Sequence, residues 1–210
     1  MAIVWPCTLS VDEYAACGRA VEVPRSDCVT CSAPMGSWSG YWRHVRQGGR
    51  CTKIWVKRVR CNACRVTHVL LPAFCLAGRL DTSEVIGAAL RAVTDGPSGV
   101  RPAAETAGVP HTTARGWVRR LRTRADELCV AFLALVADLG GAAPAPAHEP
   151  AQRALSAAIA AWAAACSFPG WAAIGQWRFA SCVSGGSLLA TNTNSPWLIV
   201  GRRRFMPPVP

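Results

Sequence analysis

Apolar and basic residues alternate from Lys53 to Arg60, in the order Lys-Ile-Trp-Val-Lys-Arg-Val-Arg. That period of two predicts a half-buried strand. Tyr41 to Arg46 reads as its partner, and Gln47-Gly48-Gly49-Arg50 between them reads as a hairpin turn. Arg65 to Leu71 predicts a third short strand, ended by Pro72. From residue 81 the period becomes helical. Asp81 and Glu84 have capping-box spacing, and Val85, Ile86, Ala89, Leu90 and Val93 follow on one face. Asp95 to Gly99 breaks that helix. A second helix is predicted over about 102–107 and a third from near His111, with helix again over 121–139 around the apolar run Leu128–Val136. A short helix over 11–16 and an alanine-rich one over about 150–166 complete the pattern, while 167–210 alternates Gly, Ser, Asn and Trp irregularly.

Four cysteines give the first half its chemistry. Cys28-Val-Thr-Cys31 and Cys61-Asn-Ala-Cys64 are two CxxC knuckles 29 residues apart. Each knuckle presents two thiolates on one side, and the hairpin between them brings the pairs together. One structural zinc ion is the expected cofactor, since four thiolates close a tetrahedron and leave no position for water. A redox role needs a strand–helix setting that is missing here. Cys51 and His68 are the lesser alternatives as ligands, with His68 read as a surface or ladder residue. Cys7 and Cys17 are a lesser alternative as a second site. The remaining cysteines read as small buried hydrophobes.

The helical half carries a second pattern. Ala104 is the small residue where two helices cross, Gly108 provides the positive φ of a turn, and Val109 plugs the core behind it. Ala114, Trp117 and Val118 then point inward. This is helix-turn-helix spacing, and it puts Thr112, Arg115 and Arg119 on the outward face. His111, which caps or precedes the helix start, and Thr113 lie beside them. Arg115 is placed to read guanine, with Arg119, Arg120, Arg122 and Arg124 meeting phosphates. Gly116 departs from helix preference, and either admits close approach to DNA or weakens the helix.

Charge agrees with a polyanionic partner. The formal net charge is +11, and residues 28–75 hold eight basic residues and no acidic one. The strand residues Lys53, Lys57, Arg58 and Arg60 are therefore expected at phosphates, with double-stranded DNA as partner. Eleven cysteines is an odd number, against a fully paired disulfide framework. Metal thiolates and the absence of a secretory pattern at 1–10 point to the cytoplasm, at the nucleoid. The uncharged stretch 154–177 is mostly alanine and broken by Pro169-Gly170, so no membrane span is expected.

The combined expectation is an α+β chain. Residues 1–27 form an N-terminal segment, 28–75 a zinc ribbon of short antiparallel strands, and 81–139 a helix-turn-helix domain. Residues 140–149 are a Gly/Ala/Pro linker, and 150–210 a less regular alanine-rich region with a basic tail. That last region either closes a small subdomain or docks a partner, with Trp162, Trp171, Trp177 and Trp197 as anchors.

A knuckle in the setting RVRCNACRVTHVLLP followed by AAETAGVPHTTARGWVRRL resembles the N-terminal DNA-binding region of bacterial insertion-sequence transposases. It is also similar to small actinobacterial helix-turn-helix proteins linked to mobile elements. The resemblance spans about 28–125 and implies recognition or regulation of transposon DNA. A separately encoded transposase or integrase and a second copy of the chain are the protein partners it suggests. Transposases carry a catalytic domain with three clustered carboxylates; here Asp126, Glu127, Asp138 and Glu149 are the only acids beyond 125. Ser184-Gly-Gly-Ser187 and Asn192/Asn194 form no nucleophile elbow. The expectation is a non-enzymatic DNA-binding protein accessory to transposition, or alternatively a transcriptional regulator with the same binding chemistry.

Overall fold

The computed structural model describes residues 2–96 and 98–190. The tail segment Trp197–Arg204, and Asn192 and Asn194, lie outside the described residues.

The architecture is α+β: a four-stranded sheet followed by helices. The strands are β1 (Ala2–Trp5), β2 (Met35–Gln47), β3 (Arg50–Cys61) and β4 (Thr67–Pro72), in the order β1-β4-β3-β2. The β2–β3 hairpin turns at Gly48-Gly49 with Gln47 opposite Arg50. It runs to Met35 and Cys61, well past the alternating stretch, with a register shift between Ser37 and Ser39. β4 adds antiparallel to β3, and β1 lies parallel to β4. β1 is absent from the sequence expectation because its partner lies more than sixty residues away.

The helices are α1 (Val11–Cys17), α2 (Ser83–Thr94), α3 (Val100–Thr106), α4 (His111–Asp138), α5 (Pro150–Ala165) and α6 (Gly175–Val183). A reciprocal capping box starts α1: Glu13 N donates to Ser10 Oγ and Ser10 N to Glu13 Oε2. The cap of α2 is Thr82 rather than the expected Asp81; its hydroxyl accepts from the Val85 amide. Asp81 is buried and taken by Arg46 instead. The third helix and the 121–139 helix are one continuous α4. No proline interrupts it, and its apolar face continues through Leu121, Ala125, Leu128, Phe132 and Val136.

One hydrophobic cluster joins Val45, Ile54 and Val56 of the hairpin with Leu90 of α2, Trp117 and Leu128 of α4, Leu155 of α5 and Phe179 of α6. The alanine face of α5 (Ala151, Ala154, Ala158, Ala161, Ala165) is buried. Small side chains let α5 approach α4 closely, so the bulk of that layer comes from α4. Glu149 caps α5, and Pro150 occupies its first turn. Trp171 and Trp177, proposed from the sequence as partner anchors, are buried in this core. Arg178 of α6 pairs with Glu84 and donates to the carbonyls of Cys7 and Leu9. Residues 150–190 are thus packed into the same core as the helix-turn-helix. Among the described residues no helix is long and apolar enough to cross a membrane.

Candidate metal centre and nucleic-acid interface

The sulfurs of Cys28, Cys31, Cys61 and Cys64 all lie within 4.8 Å of one another. The Cys31–Cys61 and Cys28–Cys64 separations are 3.4 and 3.6 Å. A tetrahedral ion with metal–sulfur bonds of about 2.3 Å wants sulfur–sulfur edges of about 3.8 Å, so the group fits one metal ion.

The two knuckles repeat one backbone design. Cys28 N donates to Ala33 O (2.8 Å) and Cys61 N to Val66 O (2.9 Å), five residues on in each case. The residue after each second cysteine is left-handed: Ser32 has φ 57° and Arg65 φ 63°. Neither is glycine, so each turn holds a conformation that costs about 1–2 kcal/mol. Amides of the turn also reach the first sulfur, from Thr30 and Cys31 to Cys28 and from Cys64 and Ala63 to Cys61.

These donors shape the thiol chemistry. Burial pushes Cys28 up, but the Thr30 and Cys31 amides, with His68 and Cys64, outweigh it and bring Cys28 down to about 5. Cys61 is lowered in the same way, its burial outweighed by the Cys64 amide and the Cys31 thiol. For Cys64 the Val66 amide lowers, but burial and the Cys61, Cys28 and Cys31 sulfurs push it up to about 12. The cluster holds some thiolate charge by hydrogen bonding and resists the rest by repulsion; a bound cation relieves that repulsion.

His68 sits in the ladder, one of the two placements the sequence suggested, but is fully buried rather than at the surface, with Nε2 3.4 Å from Cys28 Sγ. Register explains it: His68 pairs with Val59, on the face the knuckles cover. Cys51 is exposed on β3 opposite Arg46, away from the cluster. Among the described residues the four-cysteine group is the one cluster of three or more metal-ligating side chains.

The helix-turn-helix residues fall as the spacing demands. Gly108 has φ +64°, and a Cβ there would lie 2.9 Å from Gly49 N, so the turn rests directly on the hairpin tip. Ala104, Val109, Ala114, Trp117 and Val118 are buried. Thr112, Arg115, Arg119 and Arg122 are exposed, and His111, Thr113 and Arg120 are half-buried. Pro110 is the N-cap, His111 is the first helical residue, and no side chain caps this turn. At Gly116 a Cβ would lie 2.9 Å from Arg120 Nη1, the mobile end of a side chain that folds across the glycine. Arg120, Thr112 and Thr113 line a cavity of about 370 Å³ with Arg46 and Arg79. Burial and the neighbouring Arg120 hold the Arg79 guanidinium below its ordinary range.

One arginine differs from the phosphate-facing expectation. Arg124 is buried; it pairs with Glu127 and donates to the carbonyls of Ser187 and Ala190. It occupies the inward side because it is three residues after Leu121 and one before Ala125 on the core face. Arg122 lies 3.6 Å from Glu149. The strand charges divide between the two faces of the sheet. Lys53 and Lys57 share one face, and Arg58 and Arg60 the other, as alternation requires.

A family model described as "Domain of unknown function (DUF6431)" matches residues 28–117. The matched stretch opens on the first metal-site cysteine and closes on Trp117, so it takes in both knuckles, the hairpin and the start of α4. No curated protein and no solved structure matches the chain.

Proposed function

We propose that this is a sequence-specific double-stranded DNA-binding protein whose reading head is the α3–turn–α4 unit. The observation that carries the reading is the two-sidedness of α4: Ala114, Trp117 and Val118 are buried, and Thr112, Arg115 and Arg119 stand exposed on the opposite side. Such a helix start enters a major groove with Arg115 at base edges. The uncapped first turn of α4 offers free backbone donors to a phosphate, and Arg79 and Arg120 add charge beside it.

The metal of the four-cysteine site is zinc, by the softness of four thiolates and their tetrahedral spacing. Its role is structural: it ties the end of β3 and the turn after it to the segment before β2. No catalytic role is assigned, because four thiolates close the coordination sphere. The resemblance to transposase DNA-binding regions supports a role in a mobile element. There it serves as an accessory to transposition at the nucleoid, without a catalytic domain of its own.

Selection of bound sequences from random duplex DNA tests this reading. A defined motif should emerge, and Arg115→Ala should relax it at one base position at a cost of about 1–3 kcal/mol on the best site. Recovery of no motif, or an identical motif from Arg115→Ala, refutes the reading head.

A further inference from the structure

The β2–β3 hairpin carries aromatic rings that the helix-turn-helix reading leaves unused. Three register pairs lie in succession on one face: Gly40–Lys57, Trp42–Trp55 and His44–Lys53. Trp42 is 42% exposed. The Trp55 ring lies over Gly40, where a Cβ would come within 2.4 Å of it. Trp42 meets Trp55 edge to face, with centroids 5.3 Å apart. Cations sit on these rings: Lys53 Nζ is 5.3 Å from the Trp42 centroid, and the Arg19 guanidinium is 4.7 Å from that of Trp55. Lys57 continues the face into a cavity of about 540 Å³ with Val59 and Leu70 among its lining and Arg25 beside Asp27.

We propose that this face is a second nucleic-acid site, one that takes an unpaired strand rather than a duplex. The exposed indole of Trp42, braced by Trp55 in a rigid cross-strand pair, offers a flat surface on which a base stacks, and every base has a face to offer. The bases of a duplex are stacked on one another, so an indole platform selects a strand whose bases are free. Lys53, Lys57 and Arg19 supply charge for its phosphates. Lys53 is exposed on a flexible stem, so it can leave the Trp42 ring for a phosphate as a base arrives. A protein or lipid partner fits less well. Exposed aliphatic side chains are missing among the three pairs, and a cation lies over each ring. The site uses none of the proposed reading residues and does not depend on the duplex reading.

Fluorescence anisotropy of the full, metal-loaded chain tests it, with a labelled oligothymidylate of about 20 nucleotides and a labelled duplex of equal length. The wild type should bind the single strand. Trp42→Ala should weaken that binding about 5- to 100-fold, with Trp42→Phe retaining most of it. Lys53→Gln should reduce the salt slope for the single strand by about 0.7. Duplex affinity should be unmoved by Trp42→Ala and lowered by Arg115→Ala. If the duplex is not bound but the single strand is, with Trp42 dependence, the reading head fails and this site stands. Absent single-strand binding, or wild-type binding by Trp42→Ala, overturns it. So does Trp42-dependent capture by phosphatidylserine vesicles with none by the oligonucleotide. Should Trp42→Ala lose its cooperative melt, Trp42→Phe and Lys53→Gln decide: retention by the first with a reduced slope in the second upholds the site, and any other pairing overturns it.

Discussion

Arg46 of β2 grips Asp81 with two prongs, Nε to Oδ1 at 2.6 Å and Nη2 to Oδ2 at 3.0 Å, and Asp81 is only 3% exposed. The backbone joins at the same place: Arg46 N donates to Leu80 O, and Thr82 N to Arg46 O. This clasp fixes the hairpin to the residue before the cap of α2. It also explains why Asp81 does not cap that helix.

Removing the arginine leaves a carboxylate buried without its partner. Arg46→Ala is expected to cost about 2–4 kcal/mol, toward the lower part of the range for buried pairs because Arg46 itself remains 23% exposed. Arg46→Lys should recover only part of the loss, since an ammonium cannot make the planar double contact. Urea unfolding followed by circular dichroism measures both.

Three glycine-to-alanine changes should differ in size and sign. At Gly87 a Cβ would lie 2.0 Å from the Trp177 ring, so Gly87→Ala is expected to destabilise by about 1–3 kcal/mol through overpacking. Gly108→Ala should cost at least about 1–2 kcal/mol, for left-handed backbone and contact with the hairpin tip. Gly116→Ala should instead stabilise by about 0.5–1 kcal/mol, because its obstacle is the mobile end of Arg120. Denaturation midpoints rank the three.

Metal content should depend on the cluster and not on cysteine number. Purified under reducing conditions, the chain should carry about one zinc, and Cys61→Ser should lose it. Cys51→Ser, exposed and outside the group, should keep it. Plasma emission analysis reads all three proteins. A chelator that strips the ion should loosen residues 28–75 first, seen as faster amide exchange there than in α4.

Arg119 and Arg124 are five residues apart on one helix but should respond oppositely. Arg124→Ala is expected to lose about 1.5–3 kcal/mol of stability, from charged hydrogen bonds to the Ser187 and Ala190 carbonyls. Arg119→Ala should change stability by less than about 0.5 kcal/mol and weaken duplex binding across all sequences. Parallel thermal melts and filter binding separate the two roles.

What the sequence revealed was local in character. The knuckles, the Gly48-Gly49 turn and the Ala104–Gly108–Trp117 spacing each depend on residues a few positions apart, and each is found in place. The parallel β1–β4 pairing was not legible, because nothing near Ala2–Trp5 names a partner at Val69–Pro72. Helix α6 was hidden for a different reason: Gly170, Gly175, Gly185 and Gly186 surround it and make its nine residues look irregular. The burial of His68 and Arg124 depended on register and helix phase over longer spans. An error of one residue in either turns a side chain from surface to core. The occupied rings of Trp42 and Trp55 depend on a pairing that alternation alone suggests but does not align.

Helix α4 runs unbroken for 28 residues, about 42 Å at the usual rise. Its first turns carry the proposed reading residues, and its later turns are clamped by α5 and by Arg124. A force applied at Arg115 therefore meets no hinge before the interior of the molecule. The helix behaves as a tiller. Rotating its exposed end to suit a different groove geometry would require shifting Leu128, Phe132 and Val136 in their sockets. Binding should then be rigid-body in character, with discrimination against bent or widened DNA set by the stiffness of the protein's interior.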